Sequence, residues 1–236
     1  MQSMDRITAI VLCGGLGTRL RTVSGGLPKP MVPVAGRPFL EYVLDYLIRQ
    51  GVTKAVLAVS YQKKFIVKHF GDRYKNLDIA YSIEPSPLGT GGAIKKAIEQ
   101  HCKNPDELAL IINGDTLVEY ELADMCDKIT GHDADLVMSL KSIDDTSRYG
   151  RVKVDKNKIT DFEEKQSGQA GLINAGVYLL SGRLSRDLPT RSSFSFEKDF
   201  LEQAIHSHHV LSSISDGYFI DIGIPEDYQK AQVDLM

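Results

Sequence analysis

The run 9-AIVLCGGLGTRLRTVSGGLPKPMVP-33 decides the fold. It begins inside an apolar stretch, Ile7 to Leu12, that feeds a glycine-rich loop carrying Arg19 and Arg21. The loop ends on Lys29, held between Pro28 and Pro30. A near-continuous apolar run suits a strand buried on both faces, as in the middle of a parallel sheet. Glycines after such a strand let backbone N–H groups approach an anion, and successive N–H groups form a concave anion site. Arg19 adds a planar fork of donors and Lys29 a point charge. The two prolines fix their own φ and bias the residues before them to extended forms, so Lys29 is presented on a stiff segment. The stretch reads as a strand delivering a phosphate cradle.

Two familiar cradles do not match. The dinucleotide fingerprint G-x-G-x-x-G needs a third glycine, and after Gly15 and Gly17 that place is taken by Leu20. The P-loop needs a lysine directly after its last glycine, and none stands there. A hydride-transfer enzyme and an ordinary P-loop ATPase both lose ground. The plain alternative is a glycine turn between strand and helix. The basic residues and the Pro28-Lys29-Pro30 tip argue for function instead.

Outward from the loop, apolar spacing predicts alternating strands and helices. Phe39, Val43, Leu44 and Leu47 recur at helical spacing behind Pro38, with Gly51 as the stop. Strands are predicted at 54–60, 77–83 and 107–112, and helices at 63–70 and 89–101. This order is a parallel-sheet signature with right-handed crossovers. The second half changes character. A helix at 121–129 leads to a strand at 135–141, a hairpin over 151–164 and a strand at 172–180. A helix at 197–208, short strands at 210–214 and 217–221, and a helix at 225–235 opened by Pro225 complete it. The expected fold is α/β: a Rossmann-like, mostly parallel central sheet flanked by helices, with a smaller mixed-sheet lobe. A single domain is expected, with one lobe at about 1–118 and the other at about 119–236.

Several motifs along this path resemble the sugar-1-phosphate nucleotidylyltransferases. The likeness rests on Gly14-Gly15-Leu16-Gly17-Thr18-Arg19-Leu20 and Pro28-Lys29-Pro30-Met31-Val32-Pro33-Val34. It continues through Gly89-Thr90-Gly91-Gly92, Asn113-Gly114-Asp115, Glu164-Lys165, Asn174-Ala175-Gly176 and Asp221-Ile222-Gly223, in order along nearly the whole chain. A narrower likeness, to guanylyltransferases acting on D-glycero-α-D-manno-heptose 1-phosphate, rests on Leu27 to Met31, Arg37 to Tyr42 and Phe194 to Phe200. The resemblance implies a nucleotidyltransferase fold of the GT-A-like kind. It also implies attack by a sugar phosphate on the α-phosphorus of a nucleoside triphosphate, with pyrophosphate leaving. Positioning and electrostatics suffice for such a transfer, and no serine or cysteine nucleophile signature is present.

The resemblance assigns roles residue by residue. Arg19 and Lys29 are the expected catalytic cations. Leu12, Gly14, Gly15, Gly17, Thr18, Glu84, Gly89 and Thr90 are expected at the nucleotide. Lys165 is expected on the phosphate of the sugar 1-phosphate, with Asn174, Gly176, Glu197, Tyr149 and Gly150 around the sugar. Asp115 and Asp221, each at a strand end, resemble a pair of Mg²⁺ ligands, and magnesium is well served by few carboxylates plus phosphate oxygens or water. The plain alternatives are a helix cap at Asp115, a turn at Asp221, a surface lysine at 165, a first-turn carboxylate at Glu197 and loop packing at 149–150. Glu84 closes a strand. One carboxylate can accept both adjacent donors of a guanine edge, which favours GTP, whereas uracil or thymine suits an amide better. A uridylyl- or thymidylyltransferase on a hexose-type 1-phosphate such as N-acetylmuramic acid 1-phosphate stays open. So does a non-catalytic nucleotide-sugar-binding module, against which the joint presence of the charged residues speaks.

Composition sets the bounds. The 236 residues are 42% hydrophobic and 25% charged, with net charge −3, ordinary for a globular domain and no argument for nucleic acid or anionic membranes. Three widely spaced cysteines form no C-x-x-C, which fits a reducing cytoplasm. No leader-like opening and no bilayer-length apolar run is seen, so a cytoplasmic protein without membrane association is expected. The sequence stops soon after Asp221, so no appended acyltransferase or oligomerisation domain is expected, and a monomer or small homo-oligomer is. The His206, His208 and His209 cluster is expected to be solvated, and Cys13 to be a small buried hydrophobe.

Overall fold

In the computed structural model, which describes residues 6–15, 25–60, 62–163 and 169–236, the apolar run forms β1 (Ile7–Leu12). Its side chains divide between two cores. Ile7, Ala9 and Val11 face one, Ile10 and Leu12 the other, which is why the run lacks a solvent-facing polar alternation.

A 3-10 turn at Lys29–Met31 leads into a tight hairpin, β2 (Pro33–Val34) and β3 (Arg37–Pro38). The helix expected behind Pro38 is α1 (Phe39–Arg49). It ends with Gly51 at φ +80°, where the Gly51 N–H donates to the Ile48 carbonyl and the Val52 N–H to the Leu47 carbonyl. Then come β4 (Lys54–Val59), α2 (Lys63–Phe70), β5 (Arg73–Tyr74), β6 (Leu77–Ile83), α3 (Gly89–His101) and β7 (Leu108–Asn113). The second half supplies β8 (Thr116–Val118), α4 (Leu122–Gly131), β9 (Leu136–Ile143), β10 (Arg151–Asp155), β11 (Lys158–Glu163) and β12 (Gly171–Leu180). A π-helical turn at Glu197–Leu201 runs into α5 (Glu202–Ser207), followed by β13 (Val210–Ser215), β14 (Phe219–Asp221) and α6 (Pro225–Asp234).

The ten-stranded main sheet has the order β10-β11-β13-β9-β12-β7-β1-β4-β6-β5. Its parallel block is β7-β1-β4-β6. The mixed part expected of the second half is present, and it continues the same sheet through antiparallel β12, which lies between β7 and β9. Helices α1, α2, α4 and α6 cover one face through Leu44, Ile66, Met125 and Ala231, while α3 and α5 cover the other through Ile94 and Ala204. Each fully buried leucine or phenylalanine, such as Leu44 or Phe39, contributes about 1.5–3 kcal/mol. Among the described residues no helix is long and apolar enough to cross a membrane.

The parallel block sends the carboxyl ends of four strands to one edge. That is where open α/β sheets place their ligands.

Candidate active site

A cleft of about 830 Å³ opens at that edge. Leu12, Gly14, Gly15, Glu84, Gly89 and Thr90, all expected at the nucleotide, line it. Gly17, Thr18 and Arg19 lie outside the described residues. A Cβ at Gly14 would stand 2.8 Å from Glu84 Oε1 and 3.0 Å from Ser60 Oγ, so a side chain there would have to displace the Glu84 carboxylate, whereas nothing lies within 4 Å of a Cβ at Gly15. Ser60 Oγ donates to the Gly14 carbonyl at 2.7 Å, tying the end of β1 to the end of β4. Glu84 is anchored by its N–H to the Val59 carbonyl, and its Oε2 accepts from the Leu88 N–H at 3.0 Å.

The glycine-rich start of α3 is occupied by the protein itself. The Gly91 and Gly92 N–H groups both point at the Phe194 carbonyl, at 3.0 and 3.4 Å, and the Phe194 N–H returns a bond to the Leu88 carbonyl. Helix-start N–H groups are ready anion donors, but these are already used. A Cβ at Gly91 would fall 2.1 Å from the Phe194 ring, and one at Gly92 2.2 Å from the Ser192 carbonyl oxygen. These two glycines make room for the strap 192–196. Lys95 clamps the strap's approach by donating to the Pro189 and Thr190 carbonyls.

Asp115 and Asp221 come together through a two-stranded ribbon. β8 pairs antiparallel with β14, Thr116 opposite Asp221, and the Ile222 N–H donates to the Asp115 carbonyl at 3.2 Å. Lys29 Nζ stands between the carboxylates, 2.7 Å from Asp115 Oδ2 and 3.3 Å from Asp221 Oδ1. Asp221 also closes the turn foreseen as its plain alternative, accepting from the Gly223 N–H at 2.8 Å. A Cβ at Gly223 would stand 2.9 Å from Asp221 Oδ1 and 3.1 Å from Lys29 Nζ. Two hard oxygen donors from separate elements, converging on a position that already holds a positive charge, fit Mg²⁺. No cluster of three or more His, Cys, Asp or Glu gathers among the described residues, so substrate or solvent oxygens would complete its shell.

The candidate sugar residues divide. Asn174, Gly176 and Glu197 meet around Tyr178. β12 bulges, so that Asn174 pairs with Leu140 and Tyr178 with Met138. Gly176 takes φ +76° inside the bulge, where a Cβ would collide with the Asn113 amide at 2.4 Å. Asn174 Oδ1 accepts from the Gly176 N–H, and its Nδ2 donates to the Tyr178 hydroxyl at 2.7 Å. Glu197 Oε2 accepts from Thr90 Oγ1 at 2.8 Å and Ser195 Oγ at 3.1 Å. Thr90, expected at the nucleotide, thus touches a candidate sugar residue. Tyr149 sits within reach of the Asp221 charge. Its ring meets Phe219 edge-on, and burial, aided by the Asp221 charge, pushes its phenol up to about 12. A Cβ at Gly150 would press to 3.1 Å from the Glu163 carbonyl oxygen. Lys165 lies outside the described residues.

Ser60, Lys63 and Asn113 also line the cleft, and sequence reasoning gave them no role. Ser60 ends a predicted strand and Asn113 directly follows one, so the strand-end rule alone could have flagged them. Burial raises the Cys13 thiol far above its ordinary range, with the Asp115 charge adding, which makes it the inert hydrophobe expected.

Residues 8–236 match the nucleotidyl transferase family. The chain is 45% identical over 227 residues to the D-glycero-alpha-D-manno-heptose 1-phosphate guanylyltransferase of Aneurinibacillus thermoaerophilus, covering 96% of this chain and 97% of that one. It is 43% identical over 221 residues to a protein of the same name from Campylobacter jejuni, covering 93% and 96%. The crystal structure of HddC from Yersinia pseudotuberculosis complexed with GMP-PN superimposes with a TM-score of 0.85 at 38% identity, covering 97% of this chain and 99% of that one.

Proposed function

The chain belongs to the nucleotidyl transferase family, and from that premise we propose that it joins GTP to D-glycero-α-D-manno-heptose 1-phosphate in the cytoplasm, giving GDP-heptose and pyrophosphate. The observation that carries the reading is the meeting of Lys29, Asp115 and Asp221 at a cleft that both Asp115 and Glu84 line. Relatives of the same name at 45% and 43% identity support the choice of sugar and base.

A phosphate oxygen of the heptose 1-phosphate attacks the α-phosphorus. A new P–O bond forms there as the bond to the β-phosphate bridging oxygen breaks, and pyrophosphate departs with that electron pair. Lys29 offsets negative charge on the α-phosphoryl oxygens, and Arg19 does so on the leaving pyrophosphate. Lys165 holds the incoming phosphate, and Tyr149 and Gly150 border the sugar. Glu84 accepts from the two adjacent donors of the guanine edge, while its bond from Leu88 keeps the carboxylate aimed into the cleft. Asp115 and Asp221 would hold Mg²⁺, which supplies neutralisation of the phosphate charge. The nucleotide lobe is assigned to about 1–118 and the sugar lobe to about 119–236, in one domain.

Pyrophosphate release should be measured with each nucleoside triphosphate, a panel of sugar 1-phosphates and magnesium. The expected outcome is turnover with GTP and the heptose 1-phosphate. Turnover with UTP or dTTP but not GTP would sink the guanine reading. Silence with every pair would leave a binding module. Asp221→Asn should abolish turnover without lowering the melting temperature appreciably, and unchanged activity would refute its place at the metal.

A further inference from the structure

Thr90 is the second residue of α3 and lines the cleft, and the sequence assigns it to the nucleotide. Its hydrogen bonds point elsewhere. Thr90 Oγ1 accepts from the Phe196 N–H at 2.8 Å and donates to Glu197 Oε2 at 2.8 Å. A hydroxyl has one proton to give, a backbone N–H can only donate and an ionised carboxylate can only accept, so the direction of both bonds is fixed. Thr90 keeps no proton for a phosphate oxygen or for guanine O6, both of which need a donor.

The backbone brings Thr90 and Glu197 together across 107 residues of sequence. The strap 192–196 crosses the start of α3, where the Gly91 and Gly92 N–H groups reach the Phe194 carbonyl and the Phe194 N–H reaches the Leu88 carbonyl. Gly89 completes the fit. It takes φ +72°, and a Cβ there would stand 2.5 Å from the Phe194 carbonyl oxygen. These contacts hold the backbone of 88–92 against that of 194–196. Thr90 and Glu197 therefore meet on a fixed frame.

Ser195 repeats the arrangement. Its Oγ accepts from the Lys198 N–H at 3.2 Å and donates to the same carboxylate oxygen, Glu197 Oε2, at 3.1 Å. Two hydroxyls, each directed by a backbone N–H, thus grip one oxygen. Hydrogen bonds to an ionised group are the strong ones, and holding one oxygen from two sides fixes the plane of the carboxylate and the aim of the other. A carboxylate has acceptor positions beyond these two, and Glu197 lines the same cleft as Thr90. It meets the substrate already oriented.

We propose that Thr90 is a positioning residue for the sugar and not a nucleotide contact: with Ser195 it sets the Glu197 carboxylate that accepts from sugar hydroxyls. This rests on the sugar 1-phosphate reading. Thr90 stands on the helix that follows Glu84, yet it gives its one proton to the sugar side. Loss of the hydroxyl removes one of the two bonds to Oε2 and lets the carboxylate turn. The correct sugar then binds less tightly and is less well told from its epimers. Glu84 keeps its own bond from the Leu88 N–H, so nucleotide binding is unchanged.

The test is Thr90→Val, which keeps the shape and removes the hydroxyl, assayed with whichever sugar 1-phosphate the native enzyme turns over. KM for the sugar 1-phosphate should rise by about tenfold, with kcat within about twofold and the calorimetric Kd for GTP alone unchanged. The ratio of kcat/KM between the preferred sugar 1-phosphate and its epimers should shrink. Thr90→Ser restores the donor and should recover most of the loss, which a packing role for the threonine methyl would not allow. Ser195→Ala should move the sugar KM in the same direction and leave GTP binding alone. If Thr90→Val does not fold, Thr90→Ala and Ser195→Ala carry the test, with the same pattern expected. An unchanged sugar KM would overturn the inference, and a weakened GTP Kd beside it would return Thr90 to the nucleotide. Equal shifts for sugar and GTP, or a Thr90→Ser protein no better than Thr90→Val, would overturn it as well. A native enzyme inactive with every sugar 1-phosphate would instead overturn the functional reading on which it rests.

Discussion

Lys29 carries its charge where a metal would carry one. Its Nζ is shared by Asp115 and Asp221, with only 13% of the side chain exposed. Two unit charges about 4 Å apart at an effective dielectric of 20 interact by about 4 kcal/mol, so a resident ammonium is a serious competitor for any cation seeking those oxygens. Lys29→Met should therefore bind Mn²⁺ or Mg²⁺ at least about tenfold more tightly than the native protein when no nucleotide is present, while losing turnover. Calorimetric titration decides it, and equal or weaker affinity in the variant would show that lysine and metal do not contend. Much of this chemistry could be read from the sequence, because charged residues at strand ends and beside glycines are few and each has a short menu of roles. The pairings could not. That Lys29 stands between both aspartates, or that Thr90 bonds Glu197, depends on side-chain directions fixed only by the tertiary register. Tyr178 carries no sequence signal at all, since a tyrosine in an apolar strand looks like any core aromatic.

The elements fared by length. β1, α1, β4, α2, β6 and α3 are long enough for their hydrophobic period to declare them, and the structure places each within a residue or two of the expected span. The two-residue β2, β3 and β5 and the three-residue β8 have no period to read, and their partners define them. β8 is the costly omission, because its pairing with β14 is what joins the two aspartates. The helix expected over 197–208 was right in extent, but its first turn is π, where the chain widens around Phe196 and Glu197. The start of α3 permits a sharp test. Gly91 has no space for a methyl group, with the Phe194 ring 2.1 Å from where its Cβ would be. Gly91→Ala should push out the strap 192–196, lowering stability in urea by about 1–3 kcal/mol. The same change should reduce turnover by loosening Glu197. A fully stable and active Gly91→Ala protein would mean that the strap yields freely.

Across the whole molecule, stability is expected to fall with acidity in two stages. Burial lowers the His101 imidazole below its ordinary 6.5, only partly opposed by its bond to the Tyr81 carbonyl. Above that pH neither folded nor unfolded chain holds the extra proton, and as pH drops through 6.5 the unfolded chain takes it up first, so stability declines. A second decline begins below 3.8, where unfolded carboxylates protonate. Burial raises Asp45 and Asp135, but the hydrogen bonds from Lys75 and Arg37 to the first, and from the His209 N–H and Arg183 to the second, outweigh it and hold both below that value. Urea midpoints taken from pH 8 to pH 3 should show both stages, and His101→Gln should diminish the upper one. A flat profile between pH 8 and 5 would contradict the first stage. The strand order of the sheet, unlike its strands, was beyond sequence reading, because β12 enters between β7 and β9 by long-range choice. The same long range has a bearing on how the molecule comes into being. Lys29 meets Asp115 across 86 residues and Asp221 across 192. Closing chain segments of that length is entropically expensive and slow, and it is repaid only when the late strands dock. The site is therefore among the last parts of the protein to exist. A half-made or half-refolded chain carries the lysine and one aspartate, far from the other, and cannot turn over nucleotide before its architecture is complete.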